Sequence, residues 1–392
     1  KADDYTKECK VCKHVGKVSE DGLCPLCSKI QKLSNNVLYS DFFSVVLEGE
    51  ADGLPLPGGY LLLADDEKTL SKRMEKDSYF VRVYAKNQMY TGKHIATKLW
   101  VGDYTTGDTF EKFAQKAEGI KRIGVLRADV DNLGQSFVAG FAGKYATLSR
   151  TAALSRQLSI FFKYYIRSIL KNGEYHIDGE KKLTERNATI VYSGGDDVFI
   201  VGAWNEVIEL SIDLQEKFKK YTQGTLSISS GIGIYECTYP IGAIANETGE
   251  MEAESKRMPE KDSVTLMDDG ETHLINELEI CDGTYRWEEL YKSVLGEKYD
   301  VIQDFLGESD ERGMSFLYRM LELIRNQKEK INFARFVYLL SRLEPDKEGE
   351  KKEKYRKFSR KMYQWVQSEK DCRELKTAIN LYAYMHREKG AH

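Results

Sequence analysis

Three observations predict an α+β fold. From residue 120 to 272, strand-like apolar stretches and amphipathic stretches alternate in the order strand, helix, hairpin, helix, strand, helix, strand. Paired cysteines punctuate the first 33 residues, and a helical period dominates from about Leu274 onward. The alternation suits an antiparallel-containing sheet with helices on one face, close to a ferredoxin-like βαββαβ unit. Four segments are therefore expected: a cysteine-bearing piece (1–33), a β-rich unit (34–119), the α+β unit (120–272) and an all-helical domain (273–392).

Composition bounds the function. At 392 residues the chain exceeds one ordinary core. With 41% hydrophobic and 31% charged residues it reads as globular and soluble, not disordered. No apolar run approaches the ~18–20 residues of a membrane span, and no signal peptide is visible. The net charge of −4 gives no overall basic signature, so any nucleic-acid contact has to be local. Seven cysteines, an odd count without a secretion signal, argue for a reducing cytoplasm. The chain opens at Lys1, almost directly on a cysteine cluster, and reads as a fragment or one product of a longer precursor.

Cys9-x-x-Cys12 and Cys24-x-x-Cys27 form two knuckles separated by eleven residues. Each knuckle places two thiolates on one side of a tight turn, and two such turns close a tetrahedron around Zn2+. Gly16, Gly22 and Pro25 suit the turns. A disulfide pair or a redox pair is the alternative. A four-thiolate site is coordinatively closed, so a zinc ion here is expected to be structural. His14, between the knuckles, reads as a bystander.

Between residues 34 and 119, "GYLLLA", "SYFVRVYA" and "TKLWVGDY" are rich in β-branched and aromatic residues and read as strands. "LPLPGG" and "ADGL" are turns. From Ile120 the pattern changes. "KRIGVLRADVD" is a buried strand ending in acids. In "LSRTAALSRQLSIFFKYYIRSIL", Leu154, Leu158, Phe161, Phe162, Tyr165 and Ile169 recur at three- and four-residue spacing, which predicts one long amphipathic helix. "ATIVYS" and "DVFIVGA" are strands flanking Gly-Gly-Asp. "NEVIELSIDLQEKFKKY" is a helix, "LSISSGIGIYE" a strand, "GAIANETGEMEAESKRM" a helix and "DSVTLMD" the closing strand.

The hairpin tip, Gly194-Gly195-Asp196-Asp197, carries the chemistry. Glycines at 194 and 195 can take the positive φ of a tight two-residue turn. That does not explain two adjacent acids followed at once by a buried strand. Adjacent carboxylates repel unless a cation lies near them. A second acidic pair, Asp129 and Asp131, ends the strand expected beside this hairpin. Carboxylates at adjacent strand ends suit two divalent cations, Mg2+ or Mn2+, bridging nucleotide phosphates during an in-line displacement.

The ordered set "IGVLRADVDNLGQSF" (123–137), "LSRQLSIFF" (154–162), "YSGGDDVFIVG" (192–202), "ISSGIGI" (228–234) and "ESKRMPEKDSVTL" (254–266) resembles the palm domain shared by polymerases, nucleotidyl cyclases and GGDEF-type synthases. More narrowly, it resembles the large, palm-containing subunit of type III CRISPR effector complexes, the Csm branch. The likeness covers essentially the whole chain, with the four-cysteine segment upstream and the helical tail downstream. "GGDD" alone is moderately specific; the ordered set is highly specific.

The resemblance implies a synthase that joins ATP into cyclic oligoadenylate through 3′–5′ linkages when its complex engages target RNA. Asp129, Asp196 and Asp197 match the metal-binding and catalytic carboxylates. Asn132, Leu133 and Gly134 could offer backbone N–H groups to ATP phosphates. Gly194 and Gly195 lie in the ATP site, where Ser193 could contact a base. Lys256 matches a lysine aimed at the triphosphate, or is a solvated helix lysine. Implied partners are other effector subunits, guide RNA and target RNA. The family also carries an N-terminal His-Asp nuclease domain and a first palm. No His-Asp dipeptide and no second "GGDD" occur here, so these 392 residues are expected to bind ATP weakly and condense it poorly by themselves.

Three other readings stay open. A scaffold subunit holding partners on a guide RNA is compatible with the enzyme. A templated polymerase would need fingers and a thumb. A diguanylate synthase would carry Glu-Phe where Asp197-Val198 stand. The basic run "KKEKYRKFSRK" at 351–361 is either a solvated helix face or a contact to RNA or a partner.

Overall fold

The computed structural model describes residues 7–47, 52–76, 79–89, 96–107, 109–180, 182–267, 270–307, 312–326 and 330–387. The chain divides into two units, Lys1–Asp103 and Tyr104–His392.

The first unit begins with the cysteine knuckles and α1 (Pro25–Val37). Cys24 caps this helix, its sulfur accepting the Cys27 N–H, and Pro25 fills the first turn, where no amide partner is needed. A five-stranded sheet follows, built from β1 (Phe42–Leu47), β2 (Leu54–Leu56), β3 (Tyr60–Asp65), β4 (Phe80–Lys86) and β5 (Thr97–Leu99) in the order β2-β3-β1-β4-β5. Its centre is "FFSVVL", a strand missing from the sequence reading. Also unforeseen is α2 (Glu67–Lys76). Its composition hides it: Leu70 packs against Phe42 and Val83, but its neighbours along the helix are mostly lysines, glutamates and an arginine, so no apolar stripe marks the helix. Lys86 is buried and donates to the carbonyls of Val37 and Leu38 while pairing with Asp103 at 2.9 Å.

In the second unit, α3 (Phe110–Lys116) precedes β6 (Ile123–Val130). Then come α4 (Leu133–Ala139), α5 (Leu148–Ile160) and α6 (Ile166–Lys171). The expected single helix is interrupted: a π-helical turn, Phe161–Tyr165, joins α5 to α6 and turns Phe161 and Phe162 into the core. The hairpin is β7 (Ala188–Ser193) and β8 (Asp197–Ala203), followed by α7 (Trp204–Tyr221), β9 (Ile228–Tyr235), α8 (Ile241–Arg257) and β10 (Ser263–Leu266). The strand order β13 (Thr284–Arg286), β10, β9, β6, β8, β7 puts β6 inside the sheet, antiparallel to both β8 and β9. The crossover β8-α7-β9 therefore straddles β6, the split arrangement the element order predicts.

Strands continue past residue 273. A hairpin of β11 (Thr272–Ile275) and β12 (Leu278–Cys281) leads to β13 (Thr284–Arg286), which closes the large sheet against β10. Only then does the helical region begin, with a π-helical stretch (Glu289–Tyr299), α9 (Asp300–Leu306), α10 (Arg312–Arg325), α11 (Lys330–Ser341), α12 (Glu350–Trp365) and α13 (Glu369–His386). One continuous core runs from Leu126 and Ile200 of the sheet through Trp287 to Leu375 and Ile379 of α13. Tyr285 and Trp287 tie the layers with polar tips: the Tyr285 hydroxyl bonds Thr377, and the Trp287 indole donates to the Ile228 carbonyl at 2.8 Å. No helix among the described residues is long and apolar enough to cross a membrane.

Candidate active site and metal centre

The central strand β6 lies between β8 and β9, so its end brings three segments together. Asp129 pairs in register with Asp197 on one side and Ser229 on the other. Directly cross-strand residues share a face, so the Asp129 and Asp197 carboxylates are neighbours. Asp196 sits at the hairpin tip, and its carbonyl accepts the Val130 N–H at 3.2 Å. Burial, then the charges of Asp129 and Asp197, hold its carboxyl above the usual carboxylate range, against the pull of Lys256.

The glycines act differently from expectation. Neither Gly194 nor Gly195 is among the positive-φ residues. Gly194 is needed for space: a Cβ there would lie 2.0 Å from Asp197 Oδ1 and 2.8 Å from the Tyr192 hydroxyl. Its missing side chain lets the Asp197 carboxylate fold back against the turn, with the Gly194 N–H donating to the Asp197 carbonyl at 2.8 Å. Gly195 is less confined, its nearest neighbour being Ser159 Oγ at 3.4 Å.

Lys256 is brought into the site by α8. Gly231 on β9 lets that helix approach closely, since a Cβ there would meet the Thr248 carbonyl at 2.5 Å. Lys256 Nζ donates to Asp129 Oδ2 and pairs with Glu252 at 2.8 Å. Burial lowers its pKa, but the bonds to Asp129 and Glu252 outweigh this and hold it above the ordinary lysine value. Glu252 in turn accepts from Arg127 at 2.9 Å. The sequence reading missed Glu252, Arg127 and Tyr192. The Glu252–Lys256 spacing of four on a predicted helix was the available signal.

Asp131 does not share the site. It is 2% exposed and faces inward, accepting from Ser227 Oγ at 2.8 Å and from the Asp262 N–H at 3.1 Å. It pins the end of β6 to the starts of β9 and β10, a bracing position. Asn132 follows in the left-handed region at φ 53°, with its side chain held by Lys261 at 2.8 Å. This bend starts α4, and the Leu133 side chain packs on the core. The Ser193 hydroxyl donates to the Phe162 carbonyl in the π turn.

In the first unit, Cys9, Cys12, Cys24 and Cys27 present sulfurs all within 4.8 Å of one another. Cys12 Sγ and Cys24 Sγ are 3.7 Å apart, close to the ~3.8 Å edge of a tetrahedron with metal–sulfur bonds of about 2.3 Å. The backbone supports thiolate: the Cys24 N–H points at Cys9 Sγ at 3.3 Å. Backbone N–H groups of Cys12 and Cys24 pull the Cys9 thiol down to about 6. Hydrogen bonds with Cys24 and Cys12 push Cys27 up to about 12. His14 contributes its carbonyl to the Cys9 N–H, at 2.9 Å, and is not in the cluster.

Comparison with known proteins bears on the family and the fold. Residues 122–265 match the family model for the second palm domain of Cas10/Cmr2, and residues 303–388 match that for the second helical domain of the CRISPR RNA silencing complex Cmr2 subunit. The single-strand-specific deoxyribonuclease Cas10/Csm1 of the subtype III-A CRISPR system of Mycobacterium tuberculosis is 40% identical over 98% of this chain and 47% of its own length. A crystallised Csm1–Csm4 cassette in complex with one ATP superposes with a TM-score of 0.65 at 22% identity, covering 90% of this chain and 50% of the other. The same cassette in complex with cA4 gives 0.63 at 21%, covering 89% and 49%. The chain thus spans about half the length of the relatives it matches. From the "GGDD" hairpin to the helical tail, it belongs to the Cas10/Csm1 family of subtype III-A CRISPR systems.

Proposed function

We infer that this chain carries the ATP-condensing palm of a target-RNA-activated cyclic oligoadenylate synthase. The observation that carries the reading is the Asp129–Asp197 pairing, with Asp196 at the tip and Lys256 closing the cluster. Three carboxylates that close are costly unless countercharge is present. Asp129, Asp196 and Asp197 would hold Mg2+ or Mn2+, which when bound neutralises phosphate charge and activates a 3′-hydroxyl for attack on an α-phosphate. The backbone N–H groups of Leu133 and Gly134, in the first turn of α4, would donate to phosphate oxygens, as helix first turns do. Lys256 supplies a positive charge held in place by Glu252 and Asp129. The Cas10/Csm1 relatives whose structures hold ATP and cA4 support ATP as substrate and a cyclic oligoadenylate as product.

One set of acids presents one donor triphosphate. Condensation needs an acceptor 3′-hydroxyl held about 3–3.5 Å from the α-phosphorus in line. The acceptor is held by a second surface, supplied in cis or in trans. The four-thiolate cluster binds a structural Zn2+. Other effector subunits, guide RNA and target RNA are the partners that gate synthesis. The test incubates the assembled effector with each labelled NTP and Mg2+ or Mn2+, with and without target RNA. Product from ATP alone, rising with target RNA, supports the reading; product from GTP, or extension of a primer on a template, overturns it.

A further inference from the structure

Lys256 makes a contact that holding a triphosphate does not require. Its Nζ donates to Asp129 Oδ2, an oxygen of the carboxylate cluster, and pairs with Glu252 at 2.8 Å. A divalent ion such as Mg2+ ligates a carboxylate oxygen at about 2.0–2.1 Å, and an ammonium nitrogen sits about 2.7–2.9 Å from one. Both on the same oxygen would crowd a dication against an ammonium, so the lysine-paired and ion-paired forms of Asp129 oppose each other. The backbone under Lys256 is fixed. The Ser255 hydroxyl donates to the Ser230 carbonyl at 2.6 Å, and the Ser255 carbonyl accepts from Ser263 Oγ at 2.6 Å, all three residues being fully buried. The last turn of α8 is thereby stitched to β9 and β10, and the flexible four-carbon stem of Lys256 is what can move. Glu252 stays in place, held by Arg127 Nε at 2.9 Å, so the lysine keeps one anion when it leaves Asp129. Asp129 also has a second donor beside it. Ser229 stands opposite it across the β6–β9 pair, on the same face of the sheet. Ser229 is 0% exposed and its hydroxyl has no hydrogen-bond partner, a costly condition for a buried polar group.

We propose that Lys256 is a built-in counter-ion that competes with the divalent ion for Asp129 and is drawn off by the triphosphate, while the Ser229 hydroxyl takes its place on Asp129. The proposal rests on the reading of Asp129, Asp196 and Asp197 as the ion site and adds an order of events to it. By itself the ion binds weakly, because it has to displace the lysine. A triphosphate gives the lysine a new partner, so nucleotide and ion strengthen each other's binding by the same factor. When no nucleotide is bound, the lysine offsets part of the repulsion among the three carboxylates. Lys261 is a cation without this role, since it donates to Asn132 Oδ1 at 2.8 Å and not to Asp129.

The test measures Mn2+ binding to the 392-residue chain by electron paramagnetic resonance, without nucleotide. Lys256→Met should tighten binding about tenfold, within the usual range for two coupled ligands. Lys261→Met should change it less than about twofold, which separates competition at Asp129 from a general loss of positive charge. In an Asp129→Asn background the gain from Lys256→Met should vanish. Ser229→Ala should weaken Mn2+ binding about fivefold in the Lys256→Met chain, where the hydroxyl is the donor left to Asp129. A second measurement needs no variant to fold. On wild-type chain, acetylation of Lys256 by an N-hydroxysuccinimide ester, read by mass spectrometry, should rise on adding saturating Mn2+ and fall again when ATP follows. If none of these chains binds Mn2+, or if binding does not depend on Asp129, the ion-site reading and this proposal are both overturned. If binding depends on Asp129 but is unchanged by Lys256→Met, equally tightened by Lys261→Met, or without effect on Lys256 acetylation, the proposal alone is overturned.

Discussion

Asp129 and Asp197 stand directly opposite each other across the antiparallel pair β6–β8, so the two carboxylates share one face of the sheet. The closeness of the second depends on Gly194, where a Cβ would meet Asp197 Oδ1 at 2.0 Å. Gly194→Ala should therefore displace the Asp197 carboxylate and lower oligoadenylate synthesis at least tenfold. Gly195→Ala, whose Cβ has 3.4 Å of clearance, should keep most activity. Assaying both in the assembled effector checks this; equal loss in the two variants would show that the glycines serve the turn and not the carboxylate.

Lys256 is shared between Asp129 and Glu252. Lys256→Met should reduce synthesis by one to two orders of magnitude and raise the KM for ATP, because the triphosphate loses a positioned charge. Glu252→Gln should have a smaller effect, since Asp129 still holds the lysine. Steady-state kinetics on both variants distinguishes a site lysine from a solvated one, whose removal would move neither parameter.

Much of this site was legible in the sequence because its acids end apolar strands, and strand order follows from the alternation of elements. The role of Asp131 was not legible. Two residues from Asp129 on the strand reads as the same face, but β6 ends at Val130 and the chain turns, sending Asp131 to Ser227 and Asp262. The tether of Ser193 was not legible, because the π turn that presents the Phe162 carbonyl leaves no mark in a helical period. In the fold, α2 escaped notice for want of an apolar stripe, and β11–β13 were absorbed into the helical tail because three- and four-residue strands are too short to show alternation.

The thiolate cluster gives a metal prediction. Protein purified without chelator should hold one Zn2+ per chain. A strong chelator should remove it only as residues 7–37 unfold, because binding free energy at such sites is also folding free energy, ~10 kcal/mol or more. Metal analysis alongside circular dichroism checks this; absence of zinc from folded protein contradicts it.

Asp282 gives a pH prediction. Burial opposes its charge, but His273 and Lys376 outweigh burial and bring its pKa down to about 2. The folded pKa lies below the unfolded value, so the stabilisation is present above pH ~4 and is lost as pH falls toward 2. Asp282→Asn should cost about 2 kcal/mol at pH 7. The gap between wild type and variant should close in denaturant melts below pH ~3. A gap that does not depend on pH would mean that the carboxylate charge is not the cause.

The most direct test of the central claim replaces Asp196 and Asp197 together with Ala and measures cyclic oligoadenylate by mass spectrometry, in the assembled effector with ATP, Mg2+ and target RNA. The account predicts loss of product to background, with assembly intact and a melting temperature unchanged or slightly raised, since two crowded like charges have been removed. Synthesis by the double variant at the wild-type rate would contradict it.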